Sequence, residues 1–282
     1  MNVPENLLMP NGRPWSSSSV DLYDRCPLAW RLRYGQRPDG GRDVPDDGVG
    51  RRRGRVLHEA LGAALQHADI ELRRERRPID GTLRRYYGPA RTALGRAWVE
   101  QEMPSDSALA ATVMDMFERA LDAVPIPAPG ALYGVEQSYT HITRGGYPVV
   151  FVPDVARWVD RGRGVLRVTD WKSGKVDEAE VRRHQQLLRY AGWIMQRDPR
   201  VTACEIELFA LREGRGYPVP AEPEMIERAV ERFDRIVGEA LAGGGAAKVG
   251  PQCTSCRYAR NCPALAAHRA AAESEPGDGA AA

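Results

Sequence analysis

Lysine is nearly missing from this chain: three stand among 282 residues, and the rest of the 40 basic side chains are arginines. The guanidinium fork suits phosphate, although a GC-rich genome leaves the same mark on composition. Excess charge is missing too. The net charge of +2 excludes a globally basic protein, so any contact with nucleic acid must rest on local patches. No apolar run approaches the ~20 residues of a membrane-spanning helix. Met1 to Pro14 lacks a basic stretch followed by an apolar one, so no signal peptide is expected and the expected location is cytoplasmic. There, five cysteines are expected to be free, catalytic or metal-binding rather than disulfide-bonded. Gly-x4-Gly-Lys-Ser/Thr does not occur, so the chain carries no ATP motor of that type.

What is present divides by texture. Residues 1–15 read as a flexible leader and 16–268 as one domain, with a disordered Ala-, Glu- and Gly-rich tail over 269–282. Ser16 to Ser19 offer helix caps, and Pro27 suits the first turn of a helix over Leu28 to Tyr34. Gln36 to Val49 is a Gly-, Pro- and Asp-rich loop closed by the basic cluster Arg51, Arg52, Arg53 and Arg55, either a solvated charge run or a phosphate contact. Val56 to Ala68 is amphipathic, with Leu57, Leu61, Ala64 and Leu65 on one side and His58 at the edge of that stripe. Residues 70–125 stay helical and read as an insertion. Strand texture then begins: Leu132 to Tyr139, Val149 to Val159, and Val165 onward, with turns at Arg144-Gly-Gly146 and Asp160 to Gly164. A helix over Ala179 to Arg197, a strand over Val201 to Leu211 with Cys204 facing the core, and a helix over Pro223 to Leu241 complete the order. This predicts an α/β fold, a central mixed sheet flanked by helices.

Chemistry concentrates where the third strand ends. Asp170 and Lys172 project from one face of it, and a carboxylate beside an ammonium can serve phosphodiester cleavage. The turn before that strand makes its predecessor an antiparallel neighbour, so Asp154 is expected across from Asp170. Two acidic residues on adjacent strands form a cation site, with Glu136 a weaker third candidate. Gln186 and Tyr190 share a helix face behind them.

Gly54-x3-His58, Pro153-Asp154, Asp170-Trp-Lys172 and Gln186-x3-Tyr190, in that order, resemble the motifs of the PD-(D/E)XK nuclease superfamily, most closely its RecB-like exonuclease branch. The resemblance implies a restriction-endonuclease-like core. It also implies an Mg²⁺ or Mn²⁺ ion on His58, Asp154, Asp170 and the main-chain carbonyl of Trp171, with Lys172 catalytic and Gln186 and Tyr190 supporting. Phe151-Val152-Pro153 stands where that branch often has a glycine, without removing a ligand. The implied activity is metal-dependent exonucleolytic hydrolysis of DNA at single-stranded ends, in recombination, repair, phage replication or CRISPR adaptation. A helicase, a recombinase or CRISPR adaptation proteins are the partners it implies, with no membrane.

Cys253-x2-Cys256-x5-Cys262 is a compact thiolate set over 251–263. With His268 it would make a zinc knuckle; with Cys26 it makes four thiolates. One early and three late cysteines resemble the iron–sulfur subset of these nucleases, the AddB-type nuclease domain and the fourth CRISPR-associated protein family. That resemblance implies a [4Fe–4S] cluster. Two other readings stand beside the enzyme: a non-catalytic nuclease-like module binding DNA or protein, and a Zn²⁺-knuckle interaction protein.

Overall fold

The computed structural model describes residues 4–35, 48–76, 79 and 81–274. In chain order its elements are α1 (Ser17–Arg25), α2 (Pro27–Tyr34), α3 (Val49–Glu75), α4 (Tyr87–Glu100), α5 (Ser107–Ala123), β1 (Leu132–Val135), β2 (Tyr139–Ile142), β3 (Pro148–Phe151), β4 (Val155–Asp160), β5 (Val165–Lys172), α6 (Glu178–Arg182), α7 (Gln185–Arg197), β6 (Ala203–Ala210), β7 (Arg215–Pro220), α8 (Pro223–Leu241) and α9 (Pro263–Ser274). Two compact units emerge: Asp47–His141 with Val150–Glu231, and Met1–Asp46 with Ile142–Val149 and Arg232–Ala282.

The larger unit holds a five-stranded sheet in the order β1-β4-β5-β6-β7. β5 and β6 run parallel, a pairing that needs a crossover, and α6 and α7 supply it. The other three pairings are antiparallel. This is the α/β architecture expected from the sequence, a mixed sheet flanked by helices. Its core is built on α3, whose Leu57, Leu61, Leu65 and Leu72 recur at helical spacing and are all buried. They pack with Leu94 of α4, Phe117 of α5, and Trp171 and Phe209 of the sheet. Each such side chain contributes roughly 1.5–3 kcal/mol on leaving water. The helices within 70–125 therefore share the core of the sheet unit.

Periodicity read several elements as longer than they are. The first expected strand breaks at Glu136, whose φ of +47° lies in the left-handed region. The second breaks between β3 and β4 at Pro153, which has no N–H for a ladder. The helix expected over Ala179 to Arg197 is two, because His184 is extended (φ −72°, ψ 93°) and starts α7 afresh. β7 was hidden by Pro218 and Pro220, which an edge strand tolerates. α3 begins at Val49, so the Arg51–Arg55 cluster lies in its first turns rather than closing the loop before it. Residues 36–47 of that expected loop, and 275–282 of the expected disordered tail, lie outside the described residues.

In the smaller unit the leader is tied down at its end. Trp15 is fully buried, stacks on Trp30 with ring centroids 5.4 Å apart, and donates its indole N–H to the Leu7 carbonyl at 3.0 Å. Ser16 caps α1 through a reciprocal capping box with Ser19. Cys26, extended, separates α1 from α2, and Pro27 opens α2.

Candidate active site

Antiparallel pairing of β1 with β4, and of β4 with β5, brings three carboxylates to one end of the sheet. Glu136 directly follows β1, and its N–H donates to the Asp154 carbonyl at 3.0 Å. Val155 pairs with Thr169, so the next residues outward, Asp154 and Asp170, stand beside each other. α3 supplies His58, whose Nδ1 lies 3.4 Å from Asp154 Oδ1 and 3.6 Å from Glu136 Oε1. Ligand atoms of these three residues fall within 4.8 Å of one another. The left-handed backbone at Glu136, unfavourable for a side chain of this type, is what turns its carboxylate into the group.

Electrostatics mark this end of the sheet as built for a cation. Asp154 and Asp170 are only 9% and 6% exposed. Burial, then the neighbouring Asp154 charge, pushes Asp170 above the usual carboxylate range, and Lys172 and His184 pull the other way. For His58, burial acts to lower the pKa, but the charge and hydrogen bond of Asp154, joined by those of Glu136, outweigh it and raise the imidazole to about 10. Protonated, it donates from Nε2 to the Trp171 carbonyl at 3.0 Å and presents Nδ1 to the two carboxylates. Positive charge is thus already drawn to this point. Glu136 Oε1 is buried with His58 Nδ1 3.6 Å away, and Asp170 Oδ2 is buried in its ion pair with Lys172. Once a cation displaces the Nδ1 proton, the imidazole and the Glu136 and Asp154 carboxylates fit a hard divalent ion such as Mg²⁺ or Mn²⁺.

His58 and Asp154 converge as expected, Glu136 joins them, and Asp170 stands beside Asp154. Asp170 Oδ2 lies 2.7 Å from Lys172 Nζ. The Trp171 carbonyl reaches the site through His58, while its N–H donates to Asp154 Oδ2 at 2.6 Å and locks that carboxylate to β5. Gln186 Nε2 donates to Tyr190 Oη at 3.0 Å, and Tyr190 is buried against Phe151 with rings 5.5 Å apart. Burial raises the Tyr190 pKa, so its hydroxyl stays protonated. Of the basic cluster, Arg55 Nη1 donates to Gln101 Oε1 at 2.9 Å and Arg52 Nη1 to the Glu102 carbonyl at 3.3 Å, while Arg51 is exposed. Burial followed by the Arg212 charge lowers the Arg53 pKa.

Sequence reasoning missed His184. Burial lowers its pKa to about 4 against the pull of Asp170, which keeps a neutral imidazole beside that carboxylate, and its buried Nδ1 finds no hydrogen-bond partner among the described residues. Only the break between α6 and α7 aims it there, and no local pattern announced that break.

The four cysteines of the expected cluster all belong to the smaller unit, and all are unpaired and half-buried. Gly244 accepts from Tyr23 Oη at 2.6 Å, Arg31 Nη1 donates to the Gly245 carbonyl at 2.9 Å, and Lys248 Nζ reaches the Asp24 carbonyl at 2.6 Å. Gly245 (φ +93°) leaves only 2.5 Å between the place of a Cβ and Pro27 Cγ, so this position needs glycine twice over. The segment that leads to Cys253 is therefore laid against the turn that carries Cys26. Cys204 is the fifth, buried in β6, and burial pushes its thiol up to about 12.

Among the described residues no helix is long and apolar enough to cross a membrane. Comparison with curated proteins finds no match. The family model of the PD-(D/E)XK nuclease superfamily, by contrast, matches residues 14–263 and so spans the sheet, the carboxylates and all four outlying cysteines. On that match over most of its length, the chain belongs to the PD-(D/E)XK nuclease superfamily.

Proposed function

We propose that the protein is a metal-dependent DNA exonuclease of the RecB-like type that hydrolyses phosphodiester bonds at single-stranded ends. Superfamily membership makes it a nuclease-type hydrolase acting on DNA. The observation that carries metal-dependent cleavage is the convergence of His58, Glu136 and Asp154 beside the Asp170–Lys172 ion pair; action at single-stranded ends rests on the resemblance of the motifs. A divalent cation held there would supply Lewis acidity for water activation and counter phosphate charge. The chain's own part is positional. His58, Glu136 and Asp154 hold the cation, Asp170 anchors Lys172, and the Lys172 ammonium faces the charge that grows on the non-bridging oxygens. Tyr190, kept protonated, and Gln186 brace the wall behind them. The new P–O bond comes from water, which releases a proton to solvent; the bridging ester P–O bond breaks, and the leaving alkoxide takes up a proton from solvent.

Arg51, Arg52, Arg53 and Arg55 receive the DNA backbone in this reading. Basic residues in the first turns of a helix oppose its dipole, and an anion bound there reverses the penalty. Cys26, Cys253, Cys256 and Cys262 hold a [4Fe–4S] cluster, supported by the hydrogen bonds that bring residues 244–248 to α1 and α2.

The test is degradation of end-labelled single-stranded DNA with Mn²⁺. Asp170→Asn and Lys172→Ala are each expected to lose at least about a hundredfold in rate, in line with removal of one preorganised electrostatic group, with circular dichroism unchanged. Parental activity in either folded variant rejects the site.

A further inference from the structure

A concavity of about 660 Å³ opens in the larger unit, away from the carboxylates. It lies toward the other ends of β1 and β4, where Tyr133 and Trp158 meet edge to face with centroids 5.8 Å apart. Both rings are half-buried, leaving aromatic surface toward the space. Four guanidinium groups surround them: Arg73 from α3, Arg161 from the β4–β5 turn, and Arg197 and Arg200 at the end of α7. The one carboxylate in the lining, Asp198, is engaged by Arg200 at 2.6 Å, which also holds its pKa down to about 2. Arg197 is steadied by the Thr140 carbonyl at 2.7 Å and Arg73 by Asp69 at 2.7 Å. Arg161 is exposed and makes no side-chain hydrogen bond or ion pair with another described residue. Its Nη1 lies 3.3 Å from where a Cβ on Gly130 (φ +71°) would stand, so glycine there lets the guanidinium lie over the rim.

Flat aromatic rings beside several anchored guanidinium groups form a recognition surface for an aromatic base joined to a phosphate. Volume and polarity suit one nucleotide and are too small for a duplex. Trp158 lies in β4 four residues from Asp154, which directly precedes that strand, so roughly 13 Å of extended chain separates the two places at most. We propose that this concavity is a nucleotide subsite: it binds one nucleotide of the single strand whose scissile phosphate lies at His58, Glu136 and Asp154. The base stacks on Trp158 and Tyr133, and Arg161 and Arg73 take the phosphate. This rests on the nuclease reading above and adds to it a binding step of known place.

Binding is measured on the intact protein in EDTA, where hydrolysis plays no part, by anisotropy of labelled single-stranded oligonucleotides. Arg161→Ala, an exposed substitution, is expected to weaken binding about tenfold. It should also lower the slope of log K against log salt by about 0.7, the loss of one phosphate contact on a single strand. Trp158→Leu is expected to weaken binding about tenfold as well. An abasic nucleotide at one fixed distance from the strand end should cost the parent a similar factor and cost Trp158→Leu nothing further. Parental affinity and salt slope in Arg161→Ala overturn the subsite, as does an abasic penalty equal in parent and Trp158→Leu. Deoxyadenosine monophosphate is the second arm. Its displacement of the oligonucleotide from the parent, weakened in Arg161→Ala, supports the subsite; Arg161-dependent binding without displacement assigns the concavity to free nucleotides and overturns the strand assignment. Because no cleavage is involved, failure here leaves the nuclease reading intact, and an inactive parent with these binding results leaves the subsite intact.

Discussion

Glu136 shows how much one backbone angle decides. At φ +47° it leaves the strand and presents its carboxylate to His58, with Oε1 buried 3.6 Å from His58 Nδ1. An acceptor in that state gains more from a cation than a solvated one does. Glu136→Gln keeps the shape and removes the charge, and it should lower Mn²⁺ affinity by about 10- to 100-fold, the range for groups that support a metal site. Calorimetric titration of the metal-free protein checks this, and unchanged affinity removes Glu136 from the site. Asp198 gives a prediction in pH. Its hydrogen bonds and charge pairing with Arg200 depress its folded pKa to about 2, below the ordinary carboxylate value. A depressed acid stabilises the fold fully above its unfolded pKa, and that stability is lost as pH falls through the folded one. The Tm gap between the parent and Asp198→Asn should therefore be widest above about pH 5 and close as pH falls toward about 2. A gap that grows on acidification contradicts the pairing.

Elements were legible where periodicity is strong and obscure where one residue interrupts it. The leucine stripe of α3 and the start of α8 at Pro223 follow the sequence closely, because both are set by neighbours within a few turns. Glu136, Pro153 and His184 each cut an element that reads as continuous, and each cut delivers a polar group to the same end of the sheet. The apparent irregularities are thus the price of assembling the site. Packing between α3 and α5 is the element-scale test. Phe117 is fully buried there, so Phe117→Ala should cost about 3–5 kcal/mol, read as a lower urea midpoint. A cost below about 1 kcal/mol would mean the helices repack around the void or contribute little to the core.

At the scale of the whole chain, the cysteines test whether distant segments are joined covalently through a metal cluster. Cys26 and Cys253 are separated by more than two hundred residues, and closing such a loop removes much entropy from the unfolded chain. Cys256→Ala is expected to lower Tm and solubility, and the purified parent to be brown, with iron and sulfide in equal amounts near four per chain. A colourless protein with one zinc, or a variant as heat-resistant as the parent, removes the cluster. The sequence by itself determined the order of chemistry-bearing residues, the helical stripe of α3 and the strand that carries Asp170 and Lys172, since these are local properties of a chain. Tertiary structure alone decided that Glu136 meets His58 and Asp154 beside the Asp170–Lys172 pair. It alone gathered Arg73, Tyr133, Trp158, Arg161 and Arg197 around one concavity. The reason is physical: distances between residues far apart in sequence are set by strand register and helix packing, and no local pattern encodes them.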